Sequence, residues 1–539
     1  MVIASLYPFT KAQDELTPIF DWVFIESLQA HFDTTPEYYV FLPYGCQPPD
    51  SIIGTNLHIR STLELRDFFQ ESQVDVWHDF GYTPASSLAL LRRLSGQNFP
   101  ITMRVTPSFW VNSHPSAYGA LSDNDALICS RGSIHRIIEV AQNQAEDAAA
   151  LECKVPQIHT IPLGVDPKQV DSHKRRDARH LLRLPEKMTI VLCLADFSPS
   201  NSMDLFPLIR AFQTVLDDYK DIILIVSGSD ETGYGDRLRE YLNHFPLGRQ
   251  IVLWPNVGES ATSLLLAAAD IFISPSDTFY NDNQRQVLRA MANGLAVIAT
   301  DDYKHGYIEQ GKTGLKLNMS AFPSSYKALS NYFPFISGDD RSLIISQGIA
   351  VDIRQTVAYL DLLIRDLSFR QTLGKSASEY VSKYHDMALI MGKYENLWCN
   401  LREKMSAIPP QTTVTGHELK DDWFPLILSS IPQTVEENMP LQITSYGKAL
   451  LEKQDPIIYE QMSEVLFPPV ILEILSLSEN TTCISEITRS LLEVSAEEDV
   501  TDLAPNIAYH TMWCIKQGLV ALKDPDSKNV STRNVGGRT

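Results

Sequence analysis

From Met1 to about Val165, short apolar runs alternate with longer stretches whose apolar residues recur at helical spacing. The runs are Val2 to Leu6, Tyr38 to Leu42, Val74 to Trp77, Ile101 to Val105, Ala126 to Cys129 and Ile158 to Ile161. Continuous apolar strands between helical segments are the pattern of a parallel sheet, because helices cover both of its faces. The alternation then starts again with Ile190 to Leu194, Ile222 to Ser227, Ile251 to Trp254, Ile271 to Ser274 and Ala296 to Ala299. The fold class expected is α/β, with two Rossmann-like domains in tandem over residues 1–165 and 166–385.

Near the start of the second half, Asp171-Ser-His-Lys-Arg-Arg-Asp-Ala-Arg-His-Leu-Leu-Arg predicts a basic amphipathic helix. It reads either as a membrane-surface patch or, preferably, as a solvated helix leading into the second domain. The stretch Tyr380 to Lys404 carries several aromatics at helical spacing, and residues 386–405 are expected to form a helix. Pro409, Pro410 and the run Gln411-Thr-Thr-Val-Thr-Gly suggest a linker over 406–424. Residues 425–523 then form a mainly helical module: Ile471 to Leu477, Ile484 to Val494, Ile507 to Lys516, and a closing strand led by Gly518. That order looks like a winged helix, and residues 524–539 are expected to be a disordered tail.

A chain of 539 residues exceeds one hydrophobic core, and 44% apolar with 21% charged residues is a soluble composition. A net charge of -21 opposes phosphate backbones and anionic leaflets, so nucleic acid is excluded as an expected partner. The few basic residues of the 425–523 module likewise favour a protein or peptide contact over DNA. Seven cysteines, with no Cys-x-x-Cys pair, suit buried thiols in a reducing compartment. The start, Met-Val-Ile-Ala-Ser-Leu-Tyr-Pro-Phe, reads as a strand rather than a leader, and a cytoplasmic location is expected.

Five stretches carry the chemistry: Trp77-His78-Asp79, Ile161-Pro-Leu-Gly-Val-Asp166, Ile223-Leu-Ile-Val-Ser-Gly-Ser229, Ala267-Ala-Ala-Asp-Ile-Phe-Ile-Ser-Pro-Ser276 with the segment to Asp301, and Gly311-Lys-Thr-Gly-Leu315. In their order and spacing they resemble family 4 retaining glycosyltransferases with the GT-B fold, over roughly residues 1–405. The resemblance implies a nucleotide-sugar donor held in the cleft between two domains, as a substrate with no further cofactor and no metal. It implies too that the helix over 386–405 crosses back to the first domain. It also implies that His78 touches the donor sugar, with Asp79 orienting the imidazole or binding acceptor. Gly228 and Ser229 would approach the nucleotide, and Arg104 and Thr106 would lie on the acceptor side.

Several positions depart from the family pattern. Where the family has two glutamates separated by seven residues, this chain has Asn281 and Arg289. Where its glycine loop has an arginine and a lysine, this chain has Asp196 and Asn201. A carboxylate beside a diphosphate is repulsive by roughly one to a few kcal/mol even when screened. One reading moves the cationic clamp to Arg285 and Arg289, one helical turn apart, with Asp282 and Asn281 at the start of that helix. The other has Arg285 and Arg289 in ordinary ion pairs and Asn281 to Asn283 as a helix cap.

The function expected is transfer of a sugar from a nucleotide sugar to a carbohydrate, lipid-linked or protein acceptor, retaining and metal independent. The alternative is a non-catalytic GT-B protein that binds a nucleotide or, through the cleft or the C-terminal module, a protein partner.

Overall fold

The computed structural model describes residues 1–6, 37–42, 56–80, 88, 91–92, 95–105, 121, 124–130, 157–166, 174–200, 203–244, 250–277, 283–301, 306–322, 336, 338–404, 433–453, 456, 458–459, 462, 465–494 and 503–523. Thr106, Asn201, Asn281 and Asp282, the expected linker and the expected tail lie outside them.

The first sheet contains β1 (Val2–Leu6), β2 (Glu37–Leu42), β3 (Leu57–Ser61), β4 (Val76–Asp79), β5 (Ile101–Val105), β6 (Ala126–Cys129) and β7 (Gln157–Thr160). All pairs are parallel and the order is β3-β2-β1-β4-β5-β6-β7, so the connections reverse direction between β1 and β4. The second sheet contains β8 (Thr189–Leu194), β9 (Ile222–Gly228), β10 (Ile251–Pro255), β11 (Ile271–Ser274), β12 (Ala296–Thr300) and β13 (Leu315–Leu317). It is also parallel, in the order β10-β9-β8-β11-β12-β13, reversing between β8 and β11. Such reversals open a crevice at the carboxyl ends of the strands.

Among the described residues the helices are α1 (Leu65–Glu71), α2 (Arg175–Leu181), α3 (Leu205–Asp218), α4 (Tyr234–Asn243), α5 (Glu259–Ala268), α6 (Asn283–Ala292), α7 (Gly338–Gln347), α8 (Ile353–Arg365), α9 (Leu367–Tyr384), α10 (Met387–Lys404), α11 (Ser445–Lys453), α12 (Pro468–Leu477), α13 (Ile484–Val494) and α14 (Leu503–Lys516). None is long and apolar enough to cross a membrane.

Alternate residues of each strand supply the two faces, as the period of two requires. In the second sheet Val191, Cys193, Leu224 and Val226 pack with Phe212 and Leu216 of α3 and Leu360 of α8. Leu192, Ile225, Phe272 and Val297 pack with Leu265 of α5, Leu288 of α6 and Ala377 of α9 on the other side. In the first sheet Phe41, Trp77 and Phe99 stack beside Phe68 of α1. Its opposite face, with Ile3, Val40, Val76 and Ile128, is covered by Met391, Tyr394, Trp398 and Leu401 of α10. Helix α10 thus follows the second domain in sequence and belongs to the core of the first.

The basic segment before β8 forms α2, whose Arg179 is buried. Its guanidinium donates to the Ala268 carbonyl at 2.9 Å, the Glu186 carbonyl at 2.8 Å and Asp270 Oδ2 at 2.5 Å. This helix packs into the second domain, the second of the two readings its sequence allows.

The residues after 432 are woven into the second domain. Strand β16 (Gln433–Thr434) pairs with β14 (Met319–Ala321), which also pairs with β15 (Ile349–Val351). Strands β17 (Leu441–Ile443) and β18 (Val520–Leu522) make an antiparallel ribbon that brackets α11 to α14. Ile474, Ile487, Tyr509 and Trp513 share one buried cluster with α3 and α8. The sequence separates this module at a linker; packing gives it a common core with the second domain.

Candidate functional site

The domains meet where Leu163 to Val165 runs beside His385 to Met387. Val165 N donates to the His385 carbonyl at 2.8 Å and Met387 N to the Val165 carbonyl at 3.1 Å. A Cβ on Gly164 would lie 2.8 Å from Met387 Sδ and 3.2 Å from its Cα, so glycine permits this approach. Tyr307, from the loop after β12, donates its hydroxyl to the Ser130 carbonyl at 2.8 Å and accepts from Leu163 N at 3.3 Å. His385 shares a 2.9 Å hydrogen bond with the Leu163 carbonyl and meets the Tyr307 ring edge-on at 4.8 Å. Burial lowers the His385 pKa below its ordinary value and favours the neutral ring. A second-domain tyrosine is therefore fastened to the carboxyl end of β6 in the first.

Beside this joint a small recess, with room for about one water molecule, is lined by Arg104, Ser130, Gly164, Met387, Ile390 and Tyr394, among others. Arg104 lies on β5 and is 6% exposed, so its guanidinium approaches this recess from a buried strand.

His78 lies within β4. Strand β4 extends to Asp79, pairing His78 with Thr102 and Asp79 with Met103, and both side chains are fully buried. The His78 ring meets Phe80, Tyr394 and Trp398 edge-on, with centroids 5.0, 5.6 and 5.4 Å away. Its Nδ1 is 2.9 Å from Thr102 Oγ1, which also accepts from Trp398 Nε1 at 3.2 Å. Burial, helped by the Arg104 charge, drives the His78 pKa down to about 3. In this arrangement the ring is a neutral, fully buried core group under α10.

On the second domain the loops after β8, β9 and β10 close on one another. Asp196 Oδ1 accepts from Ser229 Oγ at 2.7 Å and from Ser229 N at 3.2 Å. A Cβ on Gly228 would fall 2.1 Å from the Ala195 carbonyl oxygen, so this glycine lets two strand ends touch. Asp230 accepts from Tyr234 N at 2.8 Å and Gly235 N at 2.9 Å, the free amides at the start of α4. Asn256, with φ of +57°, accepts from Asp230 N at 2.7 Å. Asparagine tolerates that left-handed conformation, but neither Asp230 nor Asn256 has a family signature in sequence.

Arg289 is 1% exposed. Its guanidinium pairs with Glu259 at the start of α5, donates to Gln286 Oε1 at 3.2 Å and approaches Ser263 Oγ at 3.4 Å. Of the two readings open for Arg289, the ion pair is the one seen here, with the acidic partner supplied by α5. Arg285 is half-buried on the same helix. At its start Gln284 donates Nε2 to Asp301 Oδ1 at 3.3 Å, while Gln284 Oε1 has no partner among the described residues. Asp301 also accepts from Ile308 N at 2.7 Å.

A further polar group was not legible in any motif. Lys516, the last residue of α14, forms an ion pair with Asp277 just beyond β11, both almost fully buried. Lys516 Nζ also donates to the Ser346 carbonyl at 2.9 Å. Gln517 Nε2 donates to Asp204 Oδ2 at 2.7 Å, and Tyr459 donates to Asp204 Oδ1 at 2.8 Å. Burial lowers the Lys516 pKa to about 7, while Asp204 pulls it upward.

Residues 189–329, from β8 past β14, match the family described as glycosyl transferases group 1. Among solved structures, sucrose-phosphate synthase from Thermosynechococcus elongatus is similar at 15% identity and a TM-score of 0.53, covering 75% of this chain and 99% of its own. A glycosyltransferase from Rickettsia africae ESF-5 is similar at 14% identity and a TM-score of 0.50, covering 74% of this chain and 98% of its own. Compared by sequence with curated proteins, the chain matches none. The chain has the GT-B fold, and the residues of its second sheet are similar to the group 1 family.

Proposed function

We propose that this GT-B chain, similar to glycosyl transferases group 1 through its second sheet, transfers a sugar from a nucleotide-sugar donor, with retention and without a metal ion. The observation that carries the reading is the family match across all six strands of the second sheet. The bond from the anomeric carbon to the leaving phosphate oxygen breaks, a bond to an acceptor hydroxyl oxygen forms, and the hydroxyl proton passes to the phosphate. Negative charge builds on that phosphate, so catalysis needs fixed donors there. With Arg289 held by Glu259, the groups we assign are the first amides of α6 and Arg285. Arg104, by the joint, faces the acceptor side.

A second reading, nucleotide or partner binding without transfer, is favoured by three observations. Asp196 is locked to Ser229, Arg289 is neutralised, and His78 is enclosed. A thermal-shift panel of nucleoside diphosphates and their sugar conjugates, followed by an assay for released diphosphate, separates the readings. Stabilisation with release supports transfer, stabilisation without release supports binding alone, and no stabilisation by any nucleotide rejects both nucleotide readings.

A further inference from the structure

We infer that Lys516 and Gln517, at the end of α14, are positioning residues for the two loops that frame the donor side of the second domain. This deepens the transfer reading and rests on it, but the geometry is independent of which sugar moves.

The loop after β8 ends at Asp204, which caps α3 by accepting from Phe206 N at 3.0 Å. The loop after β11 contains Asp277, whose carboxylate accepts from Asp204 N at 3.4 and 3.3 Å through its two oxygens. Asp204 and Asp277 are both 2% exposed, so two carboxylates are brought together out of water. Neither the stretch Ala195 to Asp204 nor the stretch Ser274 to Asn283 contains a lysine or arginine. An enclosed acidic pair of this kind needs a cation and hydrogen-bond donors from elsewhere.

Helix α14 supplies them. Lys516 sits on Asp277, and Gln517 on Asp204. The same helix is anchored from behind: Tyr509 donates to the Ile344 carbonyl and Trp513 Nε1 to Gln347 Oε1 at 3.1 Å, both on α7. Helix α7 in turn reaches the β8 loop, where Ser346 Oγ approaches the Pro199 carbonyl at 3.5 Å. Gln517 Oε1 also accepts from Arg210 of α3 at 3.1 Å. The C-terminal residues thus hold the ends of two loops that lie at the switch between β8 and β11, where an open α/β sheet receives its ligand.

Hydrogen exchange on the full chain tests this, comparing wild type with Lys516→Met, Gln517→Leu and the control Ile474→Ala. The control opens a cavity in α12, within the same module, and removes none of the hydrogen bonds that reach Asp204 or Asp277. In Lys516→Met the amides around Asp204 and Asp277 should exchange about tenfold faster or more, and in Gln517→Leu only those around Asp204. The control should leave both unchanged. Unaltered protection around Asp277 in folded Lys516→Met, or equal loosening in the control, overturns the inference. If Lys516→Met fails to fold, Gln517→Leu against the control decides it by the same criterion at Asp204. A second arm uses UDP and UDP-glucose as probes. Where wild type binds either, Lys516→Met should weaken binding about tenfold while Ile474→Ala does not, and equal affinity overturns the inference. Where wild type binds neither probe, that result counts against the proposed function, and exchange still decides the positioning role.

Discussion

Replacing His78 by alanine distinguishes a core histidine from a site histidine through stability and its pH dependence. The ring is fully buried, touches three aromatic side chains and shares a hydrogen bond with Thr102. Removing it empties a space enclosed by Phe80, Tyr394 and Trp398 and takes a partner from Thr102. Aromatic truncations in cores cost about 3–5 kcal/mol, and the smaller, more polar imidazole should cost about 3 kcal/mol at pH 7.5. The pH term has a definite sign. The folded pKa is lowered to about 3 from an ordinary 6.5, so below 6.5 the unfolded chain takes up a proton that the native ring refuses. This group's contribution is intact above pH 6.5 and is lost as the pH falls through that value toward 3. At pH 5 wild type has lost about 2 kcal/mol through His78, from 1.5 pH units at about 1.4 kcal/mol each. His78→Ala lacks that loss, so the gap between the proteins should shrink from about 3 to about 1 kcal/mol. His510, also buried and neutral with a pKa near 4, is present in both and cancels from the difference. Urea unfolding at both pH values, followed by tryptophan fluorescence with Trp77 and Trp398 as reporters, measures it. A variant as stable as wild type, with a gap independent of pH, would refute the enclosed neutral ring.

Two further predictions concern the second domain. Gly228→Ala should lower stability by about 1–3 kcal/mol or more, because its Cβ meets backbone at Ala195, whereas Gly258→Ala, with open space around its Cβ, should change it by under about 1 kcal/mol in thermal melts. Arg289→Glu should destabilise by about 1–2 kcal/mol, discounted because Glu259 is 43% exposed, and the double reversal with Glu259→Arg should recover part of that loss in a double-mutant cycle; single and double variants of equal stability would mean that the pair is not formed.

The architecture was readable because strands covered on both faces leave unbroken apolar runs, and those at Ile222, Ile271 and Ala296 begin where β9, β11 and β12 begin. Strand β3 has no such run: Leu57-His-Ile-Arg-Ser alternates as an edge strand does. The Ile161 to Asp166 motif lies at the joint, since its glycine answers a close backbone approach. What sequence could not supply was the partner of each polar group. His78 is enclosed by residues of α10 more than 300 positions away, Arg289 is neutralised from α5, and Asp277 meets its cation 239 positions later. A motif names the residue type at a position, whereas exposure and charge balance depend on contacts between distant segments.

Titration calorimetry of the full chain with nucleoside diphosphates and their sugar conjugates addresses the central claim, that the crevice between the two parallel sheets receives a nucleotide sugar. The account predicts saturable one-to-one binding of at least one nucleotide, with the sugar conjugate cleaved when acceptor is supplied. Absence of heat and of any stabilisation across the whole panel would contradict it.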